Sequence, residues 1–264
     1  EEACVGKAIK SALALVDEIV VVDTGSRDNT RIIAEGYGAR VVDEVWGDDF
    51  AAARNAALEA AACDWVLMLD CDEQLQSLRP VDFQRLLMDP GVMGYRFPIS
   101  DAQSTDPRQT HAQVRLFRNH PDVRFRYPVL EQITPSLAVR AAEQGQVLAD
   151  CNFIILHDQG SADARTRKRD RNLRLLREAA EACPGEPYFA HQLGREPLHW
   201  LDGEVLPVAG LDACRRHLER AWNLVSDMPG ETRHLLPYAA DLATDLVSVL
   251  LAGGHAPEAG EVVA

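Results

Sequence analysis

Trp65-Val-Leu-Met-Leu-Asp70-Cys-Asp72-Glu73 sets a short, continuously apolar run directly in front of two carboxylates one residue apart. A run of this length predicts a buried strand, and a buried strand delivers acids to the rim of a sheet. In extended backbone alternate side chains share a face, so Asp70 and Asp72 can point the same way and hold one divalent cation against phosphate oxygens. Two acids after a strand also fit a solvated turn, and short motifs of this kind match by chance. The surrounding sequence therefore has to decide between the two.

Upstream, Glu18-Ile-Val-Val-Val-Asp23-Thr-Gly-Ser-Arg-Asp-Asn-Thr30 is a β-branched run that also ends in an acid and a turn. A short helix over 31–36 and a strand over 39–43 follow. Asp48 and Asp49 are N-cap candidates for a helix in which Phe50, Ala53, Ala57, Leu58 and Ala61 recur at helical spacing. Strands alternating with helices at these intervals predict a parallel sheet covered on both faces. Asp23 and Asp70 would stand at the carboxyl ends of strands, where open α/β sheets bind ligands. From about Pro80 to Asp158 the pattern is less regular, with strand-like pieces at 94–97, 114–117 and 152–156, which points to mixed strands and loops.

The first residues, Glu1 to Leu13, carry Val5, Ile9, Ala12 and Leu13 at helical spacing. Almost no room remains for a strand ahead of that helix, and the expectation is that a short N-terminal strand is missing from this sequence. Beyond Ser161 the character turns helical. Arg165 to Cys183 places Leu173, Leu176, Ala180 and Cys183 on one stripe, and 209–226 and 232–252 are helical in pattern. The stretch from Tyr238 to Ala259 looks like a tetratricopeptide-type helix pair without a clean 34-residue self-similarity. The expected organisation is an α/β domain over 1–160 and a helical domain over 161–264.

The 264 residues are 47% hydrophobic and 26% charged, enough for one substantial core and a smaller second one. The net charge of −14 is spread over both halves, with 15 basic and 25 acidic residues in 1–160 and 12 and 16 in 161–264. Neither half is the cationic body that nonspecific nucleic-acid binding requires. Six cysteines without a Cys-x-x-Cys pair read as reduced thiols. No apolar run approaches the roughly 20 residues that span a bilayer, and no signal peptide is visible. These features predict a cytoplasmic protein.

Taken together, Val21-Val-Asp-Thr-Gly-Ser-Arg-Asp-Asn-Thr30, Trp46-Gly-Asp-Asp-Phe-Ala-Ala-Ala-Arg-Asn55 and Trp65 to Glu73 resemble the family 2 glycosyltransferases. More narrowly, they resemble the bacterial subgroup in which a GT-A domain precedes tetratricopeptide-like helices. The resemblance continues through Val114-Arg-Leu-Phe-Arg-Asn119, Glu131-Gln-Ile and Ile155-Leu-His157. It implies a Rossmann-like mixed sheet flanked by helices, a nucleoside diphosphate sugar donor, UDP-linked by preference, and a hydroxyl acceptor. It also implies a divalent cofactor, Mn²⁺ or Mg²⁺.

Residue by residue, Asp23 matches the acid placed by the nucleotide base or ribose, although many relatives have two adjacent acids where this chain has Asp23-Thr24. Arg54 matches an arginine partnering nucleotide or phosphate. Asp70 and Asp72 match the family's Asp-x-Asp, with Asp72 the direct metal ligand, and His157 matches a histidine completing the metal site. Glu131 stands where relatives place the base, in an inverting transfer; a His-Glu pair is common there, and here Leu130 precedes the acid. Lys168 and Arg171 fall in a basic stretch from Arg165 to Arg177 and are candidates for the diphosphate, a solvated helix face being the commoner fate of such charges. Cys71, by strand alternation, faces away from the acids.

Two rival readings accompany this one. A haloacid-dehalogenase-like phosphatase also sets two aspartates after an apolar strand, the first as nucleophile. Its pattern has no role for the Asp23 turn or the Trp46–Asn55 segment, and Gln74 stands where it wants Thr or Val. A catalytically degenerate sugar-nucleotide-binding or scaffold protein, recruiting a protein partner through its helical part, is the nonenzymatic alternative.

Overall fold

A computed structural model describes residues 1–76, 78–103, 110–199, 208–230, 236 and 238–263. It divides into two compact units, Glu1–Arg165 and Thr166–Ala264.

In the first unit, α1 (Val5–Ala12) buries Val5, Ala8, Ile9 and Ala12. The helix stops at Ala12, so Leu13 turns off the expected stripe and is 45% exposed. β1 (Val20–Asp23) runs through α2 (Thr30–Gly36) into β2 (Arg40–Asp43), and the two strands pair in parallel with Asp23 opposite Asp43. α3 (Phe50–Ala60) is capped by Asp49, whose carboxylate accepts the Ala52 N–H at 2.9 Å. β3 (Trp65–Leu67), β4 (Glu73–Leu75), α4 (Pro80–Leu87), β5 (Val92–Asp101), β6 (Thr110–Arg118), α5 (Thr134–Gln144), β7 (Val147–Asp150) and β8 (Ile155–His157) complete it.

The larger sheet has the order β3-β6-β5-β8-β4, with β7 also paired to β5. It is mixed, not parallel: β3–β6, β5–β6 and β4–β8 are antiparallel, whereas β7 and β8 run parallel to β5. Chain length accounts for one of these pairs: only residues 102–109 join β5 to β6, and a parallel crossover needs a dozen residues or more. Strands β1 and β2 form a sheet of their own. Between that pair and β3 lies an apolar cavity of about 530 Å³, lined by Val20 and Val21 on one side and Val66, Leu67 and Met68 on the other.

The sheet carries cores on both faces. Ala51, Leu58, Val114, Phe117 and Leu137 pack on one, and Leu75, Phe83, Phe97, Leu116 and Ile155 on the other. Val114 and Phe117 share a face although they stand three positions apart, because the β5–β6 register slips between Tyr95 and Arg96. Leu116 faces Tyr95 and Val114 faces Arg96, which leaves Arg115 as the extra residue of a β-bulge.

α6 (Ala162–Ala182) leads into the second unit. Its buried positions are Leu175, Leu176 and Ala179, while Cys183 is exposed, so the packed face is rotated from the expected stripe. The unit continues with α7 (Pro187–His199), α8 (Val208–Ser226), α9 (Ala239–Ala252) and α10 (Ala256–Val263). The expected helix over 232–252 is observed from Ala239; its start at 232–235 lies outside the described residues. Cys214, Leu218, Ala221, Leu242, Leu246 and Val249 form the core. His191 is fully buried, with its Nε2 2.9 Å from Asp245 and its ring stacked on Tyr238.

α7 and α8 meet at Gly194, where a Cβ would lie 2.6 Å from Leu218 Cγ and 3.0 Å from the Cys214 carbonyl. Overpacking of this kind costs about 1–3 kcal/mol. Gly194→Ala is expected to lower stability by that amount, and chemical denaturation followed by circular dichroism measures it. In the first unit, Asp49→Ala removes a cap worth about 1 kcal/mol and should lower that unit's own stability by about that amount in the same measurement.

Candidate active site

The site grows from the ends of β1 and β3. β1 delivers Asp23, whose turn is closed by the Ser26 N–H donating to Asp23 Oδ1 at 2.9 Å. Gly25 makes that turn possible with φ +104, a conformation L side chains rarely adopt. The Ser26 hydroxyl and the Ser26 and Gly25 amides hold the Asp23 carboxyl below the usual carboxylate range against the opposing effect of burial.

The chain leaving β3 turns back at once. Glu73 donates its N–H to the Asp70 carbonyl at 3.0 Å, and the Glu73 carboxylate in return accepts the Asp70 N–H at 3.0 Å. Cys71 packs against the cluster of Val5, Ile9, Ala34 and Ala39. Burial first, and nearby carboxylates second, push its thiol up to about 11.

Arg54, on α3, ties the acids together. Its Nη2 lies 2.7 Å from Asp70 Oδ1, its Nε donates to Glu131 Oε1, and its guanidinium stands 5.3 Å over the Phe125 ring. The next residue fixes the height of this arrangement: Asn55 donates to the Phe125 carbonyl at 3.0 Å and accepts the Phe125 N–H at 2.8 Å. Burial raises the cost of ionising Asp70, but Arg54 and Arg115 outweigh it, and its carboxyl lies below the usual range. Arg115, 5% exposed, donates from Nη2 to Glu73 Oε1 at 2.6 Å and reaches Asp70 Oδ2 at 3.4 Å. Burial pushes the Glu73 carboxyl up, and Arg115 opposes that shift.

Glu131 sits in a loop with unusual backbone. Tyr127 has φ +73 and Leu130 φ +52, and Asp48 in the facing loop has φ +58. The Phe50 N–H donates to the Pro128 carbonyl at 2.8 Å, joining the two loops, and Arg126 bridges Gln132 to close the first. Left-handed conformations at non-glycine residues cost of order 1–3 kcal/mol each and persist where the surroundings over-determine them.

Asp72 belongs to a second group. Its Oδ2 lies 3.5 Å from His157 Nε2, and its carbonyl accepts the Asp158 N–H at 2.9 Å. The antiparallel register of β4 and β8, with Glu73 opposite His157, makes this meeting possible. Among the described residues no three His, Cys, Asp or Glu side chains gather to hold a metal by themselves. One carboxylate and one imidazole nevertheless suit a divalent cation that takes its other ligands from phosphate oxygens and water; the oxygen ligands fit Mg²⁺ or Mn²⁺, and the imidazole suits Mn²⁺ better.

Of the residues singled out in the sequence, the structure joins Arg54, Asp70 and Glu131 in one ion-pair network and places Asp72 beside His157. Asp23 occupies its own turn. Lys168 and Arg171 lie on α6 in the second unit, where Arg171 donates to Asn172 Oδ1 at 3.1 Å. Arg115, Glu73 and Asn55 were not singled out. The one available signal was a lone arginine inside the apolar run Val114-Arg-Leu-Phe.

The sequence profile of Glycosyl transferase family 2 matches residues 1–139, just over half of the chain. Over 239 residues the chain is 32% identical to a TPR repeat-containing protein of Synechococcus elongatus, covering 89% of this chain and 57% of that one. A shorter stretch of 75 residues is 40% identical to an uncharacterized glycosyltransferase of Rickettsia bellii, covering 28% and 25% of the two chains. The structure of TarS from S. aureus is similar in fold, with a TM-score of 0.50 at 17% identity over 94% of this chain and 52% of that one. This chain belongs to glycosyl transferase family 2, and its first unit has the GT-A fold of that family. It spans little more than half the length of the first of these relatives and about a quarter of the second. No described helix is long and apolar enough to cross a membrane.

Removing Arg54 leaves Asp70 and Glu131 facing each other without their shared cation. Glu131 is 12% and Asp70 38% exposed, so the cost is set below that of a fully buried pair, at about 2–4 kcal/mol. Arg54→Met is expected to lose that much in urea denaturation, and Arg54→Lys, which cannot bridge both acids with a fork, to lose about half.

Proposed function

We propose that this chain transfers a hexose from a nucleoside diphosphate sugar, UDP-linked by preference, to a hydroxyl acceptor, with a divalent cation, Mn²⁺ or Mg²⁺, and inversion at the anomeric carbon. The observation that carries the proposal is the adjacency in one turn of two differently equipped acids. Asp72 stands beside His157, and Asp70 is linked through Arg54 to Glu131.

Asp72 and His157 would hold the cation, and a bound cation neutralises charge on the departing diphosphate. Asp23 offers an ionised acceptor to the N–H or hydroxyl groups of the nucleoside. The acceptor oxygen attacks the anomeric carbon from the face opposite the diphosphate, Glu131 takes the hydroxyl proton, and the nucleoside diphosphate leaves with the bonding electron pair. Arg54 fixes Glu131 and Asp70 relative to each other, so the base has a defined place before substrate arrives.

Asp70 is a poor candidate for a phosphatase nucleophile, because Arg54 and Arg115 already engage both of its oxygens. A binding protein without turnover is favoured by one feature, the engagement of Glu131 by Arg54. Turnover separates the two readings.

Screening UDP-sugars with Mn²⁺ should show metal-dependent UDP release, abolished by EDTA and by Asp72→Ala. Persistent turnover in Asp72→Ala removes Asp72 from the metal site. Glu131→Gln should bind donor with unchanged affinity, measured by calorimetry, and lose transfer by about 100-fold or more; unchanged transfer would assign the base elsewhere.

A further inference from the structure

Behind the Asp70–Asp72 turn lies a buried ion pair that the proposed chemistry does not use. Arg115 and Glu73 have side chains only 6% and 3% exposed, and they meet at 2.6 Å. Such a pair is expensive to bury and is weak evidence for stability in itself, so its placement needs another reason. Glu73 uses one carboxylate oxygen for Arg115 and the other for the Asp70 N–H, while its own N–H closes the turn on the Asp70 carbonyl. Arg115 reaches past Glu73 to Asp70 Oδ2 at 3.4 Å. The pair therefore grips the turn at its backbone and at its first side chain.

The arginine is aimed there by a defect in the sheet. Arg115 is the extra residue of the β5–β6 bulge, and its carbonyl accepts the Met68 N–H at 2.7 Å, two residues before Asp70. Bulges near functional sites re-aim a side chain that regular alternation would send elsewhere. The Arg115 Nε is left buried without a hydrogen-bond partner among the described residues, so the side chain accepts an unmet donor in order to occupy this position.

We propose that Arg115 and Glu73 are positioning residues that lock the Asp70-Cys71-Asp72 turn so that Asp72 and His157 present a preset pair to the cation and diphosphate. The inference rests on the metal-dependent reading above. By engaging Asp70 together with Arg54, Arg115 reserves that acid for the turn's own frame and leaves Asp72 to face the ligand. Supporting groups around metal ligands commonly change metal affinity by about 10- to 100-fold when altered.

The test uses the whole 264-residue chain. UDP is titrated calorimetrically with saturating Mn²⁺ and again with EDTA, and thermal unfolding is recorded on each protein. Arg115→Lys keeps a cation beside Glu73 but loses the fork. It should unfold within a few degrees of the parent, bind UDP in Mn²⁺ about 10-fold or more weakly, and bind UDP in EDTA unchanged. Arg115→Met should show the same metal-specific loss; where it does not fold, Arg115→Lys decides. Parent-like affinity in Mn²⁺ for the Lys variant overturns the proposal and makes the pair a packing feature, and so does an equal loss with and without metal. A parent chain that binds UDP no better with Mn²⁺ than with EDTA fails the functional reading itself, and the positioning role with it, before any variant is measured.

Discussion

The candidate site of the first unit is tied together by one guanidinium. Arg54 joins an acid just beyond β3 to an acid in the loop before α5, itself 77 residues along the chain from the arginine. Neither carboxylate could sit so close to the other without a cation between them, since two like charges in a poorly solvated pocket disfavour each other's ionisation. A lysine would supply the charge but not the flat fork that meets two partners at once. The helix that carries Arg54 is in turn set by Asp49 at its start and by Asn55 clasping Phe125. Capping, side-chain to backbone pairing and ion pairing thus converge on a single side chain.

Around it the backbone departs from its easy conformations. Asp48, Tyr127 and Leu130 all have positive φ, in two loops joined by the Phe50–Pro128 hydrogen bond. The strain is concentrated where Glu131 must be held, and regular elements on either side supply the packing that sustains it.

Much of this was legible in the sequence because it was local. The apolar run 65–69 ends in acids, Asp49 precedes an amphipathic helix, and β-branched residues lead to Asp23; each signal lies within about ten residues and each element is present. What the sequence concealed was non-local. The antiparallel pairing of β3 with β6 depends on which strand the chain returns beside, and periodicity carries no such information. The bulge at Arg115 arises from a register slip between two strands, so nothing in Val114-Arg-Leu-Phe announces it. Glu73 followed the acids in plain view, but its pairing with Arg115 joins residues 42 apart. The packed face of α6 differs from the expected stripe for a related reason: neighbouring stripes on a mostly polar helix differ by one position, and the packing partner chooses between them.

The turn between the two acids reaches across to the other ladder. Asp23 ends the two-stranded β1–β2 ribbon, whereas Asp70 and Asp72 follow β3 of the larger sheet. Cys71, between those acids, packs with Val5, Ile9, Ala34 and Ala39 beside Val21 of β1 and Val41 of β2. One small side chain therefore carries packing from the ribbon to the turn, and a bulkier residue there would press on both at once.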